Sequence, residues 1–378
     1  MLLPEWNIEI VGICAVSAFA CFWLIRVLYV LCLYLRPLFR LAKKDNSATL
    51  KTQEPVSVIV IALNKGPGFI LNIRQILAQQ YPIFEVIAVI DNADKDVEDE
   101  LKLLMHDDNR LRYTFVPHET KNVSRRKLAL TIALKSARYD WILQTEYSCR
   151  PASDRWIERM MGTRAEDTEI VLGGTVTEKV PAGIRRTMAY YNQLRSLQML
   201  ACGICRLPYV GNAANLLMRK DLLFKHITFG KSLKEELGED LVMVNAAATR
   251  KNTKVELKHE SLTINSFPDK KDWILKDESI RRCRPYLKGF GKTLWQISPT
   301  VSFFYLITLL FAVYTQLQSV VFLSAIGGMH LLYRILFWGI LLRYSNKTHS
   351  ARFYTLPFYS SLIYPFTKER KRSRARRR

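Results

Sequence analysis

The sequence predicts an α/β protein: a mostly parallel sheet domain carried between apolar segments of membrane length. Three observations predict it. Between about residues 55 and 292, short β-branched runs alternate with stretches of helical period, the signature of βαβ units whose sheet is covered on both faces. Almost uninterrupted apolar runs at 10–35, 294–317 and 320–342 match the ~20 residues a helix needs to cross hydrocarbon. Of the 378 residues, 49% are hydrophobic and 24% charged, which excludes a disordered chain, a collagen and a disulfide scaffold. Lysine and arginine number 56 against 34 acidic residues, a net charge of +22 that suits a polyanion or an anionic membrane surface. The apolar ends favour the membrane.

The first apolar run reads as a retained anchor. Glu5 and Glu9 precede it while Arg36, Arg40, Lys43 and Lys44 follow, the reverse of a secretory signal. That asymmetry puts the next domain in the cytoplasm. Arg26, inside the run, is close enough to the basic end to snorkel. The two later runs form a hairpin, because the join at Gln318 and Ser319 is too short to hold a domain. The tail then returns to the cytoplasm with its basic run 368–378. For His330 and Arg334, one turn apart in the third run, two readings stay open: a functional intramembrane pair, or packing against the first anchor or a membrane-surface position. The aromatic stretch 353–366, broken by Pro357 and Pro365, is too short to span and is expected at the interface. The resulting divisions are an anchor over 1–45, a cytoplasmic domain over 50–292, a transmembrane hairpin over 293–345 and an interfacial, basic tail over 346–378. A nucleic-acid partner rests on charge alone, and a basic tail behind a membrane hairpin is better placed on anionic lipids.

Within the central domain, Val56–Ala62 is a run typical of buried parallel strands. A loop at Asn64 leads to a helix over 69–80, and a second strand over 84–90 ends in Asp91 and Asn92 ahead of a charged helix. Leu111–Val116 is a third strand, 125–137 an amphipathic helix and 141–144 a fourth strand. Ligands of such sheets bind beyond the carboxyl ends of the strands, so the loops at Asn64, Asp91 and Thr145 are where chemistry is expected. Neither a Walker loop nor Gly-x-Gly-x-x-Gly is present, which disfavours a P-loop enzyme or a Rossmann dehydrogenase. Cys202 and Cys205, without a second pair or a histidine cluster, are expected to be small packed residues rather than a zinc or redox site.

The order VSVIVIALN, VIDNADKD, SRRKLAL, TEYSCRP and SDRWI, followed by GNAANLLMRKDLLF and GEDLVMVNAAATRKNTKVEL, resembles family 2 glycosyltransferases. The resemblance covers residues 55–300, and one amino-terminal anchor with carboxy-terminal spans looks like the membrane-bound subset of that family. It implies the GT-A fold of nucleotide-diphospho-sugar transferases. The implied activity is inverting transfer of a sugar from a nucleotide-sugar donor to a lipid-linked or membrane-proximal acceptor. The missing Gln-x-x-Arg-Trp motif argues against a processive synthase.

The same resemblance implies site residues. On the donor side stand Asn64, Asp91, Asn92, Lys127, Glu146 and Ser148. Lys65 stands where the family more often has Glu, and Asn92 replaces a second acid. Lys127 opens a helix whose start suits a diphosphate, with Arg125 and Arg126 otherwise a solvated face. Where the family places Asp-x-Asp around Mg²⁺ or Mn²⁺, this chain has Glu146-Tyr147-Ser148. Three readings stay open there: Glu146 alone holds the metal, Arg150 takes over part of the neutralisation, or metal binding and catalysis are lost. Asp240 is the expected base for the acceptor hydroxyl, with Glu239 as its neighbour. Gly211 and Asn215 are expected on the acceptor side, and Arg282 or Arg284 on phosphate or a lipid headgroup. The rival function is a catalytically degenerate relative that binds or scaffolds within a glycan-assembly complex.

Overall fold

The computed structural model of the chain describes residues 5–42, 54–63, 68–91, 95–117, 124–177, 184–226, 238–266, 282–287 and 289–352. The chain divides into two units, one of 1–38, 293–346 and 352–378, the other of 39–292 with 347–351.

The larger unit opens after helix α1 (Glu5–Ala42) with strand β1 (Val56–Ala62), every residue of which is buried. A left-handed Gly68, at φ 89°, starts α2 (Phe69–Leu77); glycine alone takes that conformation without strain. Then come β2 (Phe84–Asp91), the charged α3 (Lys95–Asp107), β3 (Leu111–Val116), α4 (Arg125–Ser136) and β4 (Trp141–Glu146). Short elements follow: β5 (Cys149–Pro151), α5 (Trp156–Gly162), β6 (Ile170–Gly173), β7 (Thr175–Thr177), the long α6 (Ile184–Ile204), β8 (Leu216–Arg219) and α7 (Lys220–His226). The unit closes with α8 (Glu239–Ala247), β9 (Thr253–Glu256) and β10 (Thr263–Asn265).

Seven strands form the main sheet in the order β3-β2-β1-β4-β8-β6-β9. The β1, β2, β3 and β4 pairings are parallel, as is β6 with β9, while β8 runs antiparallel to both β4 and β6. A second sheet, β5-β10-β7, lies apart from it. Val58, Val60, Val86, Leu143, Ile73, Ile76 and Trp156 share one buried core. At the amino edge of the sheet the buried Glu85 is satisfied by Ser57 Oγ (2.6 Å), the Arg138 amide (2.7 Å) and the Arg112 guanidinium. That carboxylate is structural, and it leaves the carboxyl edge for chemistry.

Cys202 is buried on α6, and burial, with the neighbouring Cys205 adding to it, pushes its thiol up to about 12. Gly203 between them is pressed against β9, where an added methyl would sit 2.5 Å from Val255 Cγ2. These are packing residues; among the described residues no cysteine is in a disulfide. Beyond the second unit's boundary, residues 347–351 return to the α/β unit, where the Ala351 amide donates to Thr177 O at 2.9 Å.

The smaller unit contains most of α1, with α9 (Phe290–Thr315) and α10 (Val320–Thr348). Among the described residues two helices are long and apolar enough to cross a membrane, Ile10–Ala42 and Val320–Thr348. The helix expected over 294–317 forms as α9; Thr300–Thr315 is its apolar portion with described side chains, shorter than a span. The aromatic segment 353–366 and the basic run 368–378 lie outside the described residues.

Candidate active site

Three strand ends converge on the expected site. Ala62 closes β1, Asp91 closes β2 opposite Val116, and Glu146 closes β4 opposite Ile61. Asn64 and Asn92 lie outside the described residues, as does the side chain of Asp91. The fold nevertheless brings the three strand ends that lead into the donor-side loops to one edge.

Opposite β4 stands the first turn of α4. Its N-cap, Ser124, accepts from the Lys127 amide at 3.2 Å, which fixes the helix start. Lys127 is almost fully buried. Arg126 donates from Nη2 to Glu146 Oε1 at 3.1 Å, with 13% and 10% of the two side chains exposed. Of the two readings for Arg126, the solvated face does not hold: this guanidinium reaches the carboxylate at the strand end. A signal for it is present in the sequence, because Arg126 precedes the fully buried Ala129 and Leu130 by three and four residues, one helical face.

Behind Glu146 the chain is tied down at each step. Asn72 Nδ2 donates to Tyr147 O (2.8 Å), and the carbonyl of the buried Ser148 accepts from both the amide (3.0 Å) and the hydroxyl (3.1 Å) of Ser266. Thr145 Oγ1 donates to Ala214 O at 3.0 Å, and Thr263 Oγ1 donates to the same oxygen at 3.0 Å. Next along, the Ala213 amide donates to Asp240 Oδ2 at 2.7 Å, while Asp240 Oδ1 accepts from the Leu241 amide at 3.0 Å. The Ala213–Ala214 backbone thus joins the β4 end carrying Glu146 to the first turn of α8 carrying Asp240.

The surrounding glycines and Asn215 make this junction close. A Cβ on Gly211 would lie 2.5 Å from Val244 Cγ2, so glycine lets the loop press on α8. Asn215, fully buried, accepts from Trp156 Nε1 (3.0 Å) and donates from Nδ2 to Gly174 O and Ser261 O (2.8 Å each). Its amide is engaged in holding the loop to α5 and to the second sheet. Gly238, N-cap of α8 at φ 90°, has no room for a Cβ beside Cys283 Sγ. Cys283 therefore sets its exposed neighbour Arg282 beside the start of α8. The side chains of Glu239 and Arg284 lie outside the described residues.

The donor set at Glu146 is shared with a cation of the protein itself. A divalent cation is held by carboxylates, and one oxygen of the carboxylate expected to hold it faces the Arg126 guanidinium. Among the described residues no group of three His, Cys, Asp or Glu side chains is placed to hold a metal.

Residues 57–221 match the family described as Glycosyl transferase family 2. No curated protein matches the chain. Among solved structures, the mannosyltransferase PcManGT from Pyrobaculum calidifontis, in complex with GDP-Man and Mn2+, is 16% identical; the match covers 90% of this chain and 99% of that one at a TM-score of 0.56. Glucosyl-3-phosphoglycerate synthase from Mycobacterium tuberculosis, in complex with phosphoglyceric acid, is 14% identical over 64% of this chain and 84% of its own, at a TM-score of 0.44. A 4-diphosphocytidyl-2C-methyl-D-erythritol synthase from Anaerococcus prevotii DSM 20548 is 14% identical over 61% of this chain and 97% of its own, at 0.38. The first likeness shows a shared fold, GT-A.

Proposed function

We propose that this chain, whose central domain is a family 2 glycosyltransferase domain on the GT-A fold, moves one sugar from a nucleotide-sugar donor to a lipid-linked or membrane-proximal acceptor, with inversion. The observation that carries the reading is the junction of Glu146 and Asp240 through the Ala213–Ala214 backbone at the carboxyl edge of the sheet. Asp240 acts as the base. Each carboxylate oxygen has about two lone-pair positions, so the backbone bonds that orient it are compatible with taking a proton from the acceptor hydroxyl. The hydroxyl oxygen then attacks the anomeric carbon as the bond to the diphosphate oxygen breaks, and nucleoside diphosphate leaves.

The departing charge must be met by cations. Arg126 and Lys127, on the first turn of α4, supply them together with that helix's amino-terminal N–H groups. Glu146 orients Arg126. Asn64, Asp91, Asn92 and Ser148 complete the donor side, and Gly211, Glu239, Arg282 and Arg284 the acceptor side, where the buried Asn215 holds the loop in place instead of touching the acceptor. The domain works at the cytoplasmic face of the membrane, held by α1, α9 and α10, with anionic lipids on the basic flanks. Mg²⁺ or Mn²⁺ is the cofactor the resemblance implies; the Arg126–Glu146 pair favours donor binding without it.

That same pair also favours a second reading, a subunit that keeps the fold for binding or scaffolding and no longer transfers sugar. Full-length protein in detergent, given a panel of nucleotide sugars with and without Mn²⁺, separates the two. Release of nucleoside diphosphate from one donor is the expected result. Binding of a nucleotide sugar without any release across the panel would leave only the scaffold.

A further inference from the structure

The small second sheet of the α/β unit turns a polar face toward the site. Thr175 and Thr177 of β7 alternate with Val176, and Thr263 and Asn265 of β10 with Ile264, so these four polar residues share one face. Register sets Thr263 beside Thr175 and Asn265 beside Thr177, with Cys149 of β5 opposite Asn265. That face meets the loop that joins the Glu146 strand end to Asp240. Asn212 Nδ2 donates to Thr175 Oγ1 at 3.3 Å, Thr175 Oγ1 lies 3.1 Å from Thr263 Oγ1, and Thr263 Oγ1 donates to Ala214 O at 3.0 Å. With Thr263 giving its hydrogen to the carbonyl, Thr175 must give its own to Thr263, and both hydroxyl hydrogens of this first row are used.

The second row differs. Asn265 and Thr177 are only 8% and 4% exposed. Asn265 Oδ1 is buried and accepts no hydrogen bond. Among the described residues its Nδ2 and the Thr177 hydroxyl make none either. The backbone around them is nevertheless fixed: the Ala351 amide donates to Thr177 O at 2.9 Å, and the Ser266 amide to Ser148 O at 3.0 Å. Rigid strands thus hold a carboxamide and a hydroxyl side by side with nothing to bond, although buried polar groups are ordinarily paired.

The unmet groups say what fits. A buried acceptor oxygen needs a donor, which a phosphate or a carboxylate does not supply and a sugar hydroxyl does. A carboxamide matches two neighbouring hydroxyls, one donating to Oδ1 while the other accepts from Nδ2, and the Thr177 hydroxyl can turn to meet either. The place is also right. Ala214 O accepts from Thr145, next to Glu146, and the Ala213 amide holds Asp240. The row of Asn265 and Thr177 lies two residues, about 7 Å, along the strands from that junction.

We propose that Asn265 and Thr177 bind a vicinal diol of a sugar beside the transfer site. The role of that sugar rests on the transferase reading; its binding does not. Full-length chain in lauryldimethylamine oxide, a detergent without sugar, is titrated with methyl α-glucoside, methyl α-mannoside and methyl α-galactoside. Tetrahydropyran-2-methanol, which keeps the ring and lacks the diol, is the control, and saturation-transfer nuclear magnetic resonance reads binding. The best glycoside is expected to bind at least tenfold more tightly than the control. Asn265→Leu should weaken it at least tenfold and Thr177→Val at least threefold. Since the Asn265 carboxamide bonds nothing in the fold, Asn265→Leu is expected to keep the thermal midpoint of wild type, which a structural role would lower. UDP-glucose and GDP-mannose, each compared with its nucleoside diphosphate, identify the source. Weaker nucleotide-sugar binding in Asn265→Leu with the nucleoside diphosphate unaffected gives the diol to the donor; weakening of the glycoside alone gives it to the acceptor. A glycoside dependence on Asn265 without any nucleotide-sugar binding by wild type would sink the transferase reading and keep the site. Sugar binding indifferent to Asn265→Leu, equal binding of the control, or a lowered thermal midpoint would each overturn the proposal, as would wild type that binds no sugar.

Discussion

Replacing Arg126 by alanine gives the sharpest test of how the donor is held. The guanidinium is 3.1 Å from Glu146 and both side chains are nearly out of solvent. A hydrogen bond to a charged group contributes about 1.5–3 kcal/mol, and since some water still reaches each group, the loss stays below the 3–5 kcal/mol of a fully buried pair. If Arg126 turns one such bond toward the leaving diphosphate, the same range predicts about ten- to hundredfold weaker binding of nucleoside diphosphate in Arg126→Ala. Calorimetry on the full chain in detergent reads this directly, run once with EDTA and once with Mn²⁺. Wild type is expected to bind in both, and the variant to be weakened equally in both. Wild-type binding that vanishes in EDTA, with Arg126→Ala matching wild type in Mn²⁺, would show Glu146 serving a metal and refute the cation argument.

Other outcomes follow from particular contacts. Asn215→Ala strands Trp156 Nε1 and two carbonyls in a buried site, so it should cost about 3–6 kcal/mol, seen as a lowered thermal midpoint. The hydrogen bond from Arg164 holds the Glu54 carboxyl below its usual 4.5, against partial burial, which raises it; the charge of Arg164 and a bond from Trp141 add to the lowering. A lowered folded value means the stabilisation is full above about pH 5 and fades as acid protonates the carboxylate; unfolding curves from pH 6 to pH 3 should therefore be flatter in Glu54→Gln. With its thiol near 12, Cys202 should resist alkylation at pH 8 long after partly exposed Cys205 has reacted, as peptide mass spectrometry would record.

The parallel half of the sheet is legible in the sequence because its strands are buried on both faces. Val56–Ala62 and Leu111–Val116 form with the bounds their β-branched runs predict. What the periodicity misses is short: β5, β7 and β10 have three residues each, too few for any repeat to register, and they pair only through distant sequence. The antiparallel β8 is hidden for a similar reason, since its place between β4 and β6 is decided by the tertiary fold. At the site, motif order points to Lys127, whereas helix geometry turns Arg126 toward Glu146; a hundred degrees of rotation per residue separates the two. Asn215 has the look of a ligand in a polar loop, and its three hydrogen bonds are visible only in three dimensions.

Stereochemistry of turnover bears most directly on the whole account. With an accepted nucleotide sugar, the product of wild type should carry the anomeric configuration opposite to the donor's by nuclear magnetic resonance, and Asp240→Asn should bind donor normally yet release at least a thousandfold less product. Retained configuration, or an Asp240→Asn protein as active as wild type, would contradict a single displacement driven from that carboxylate.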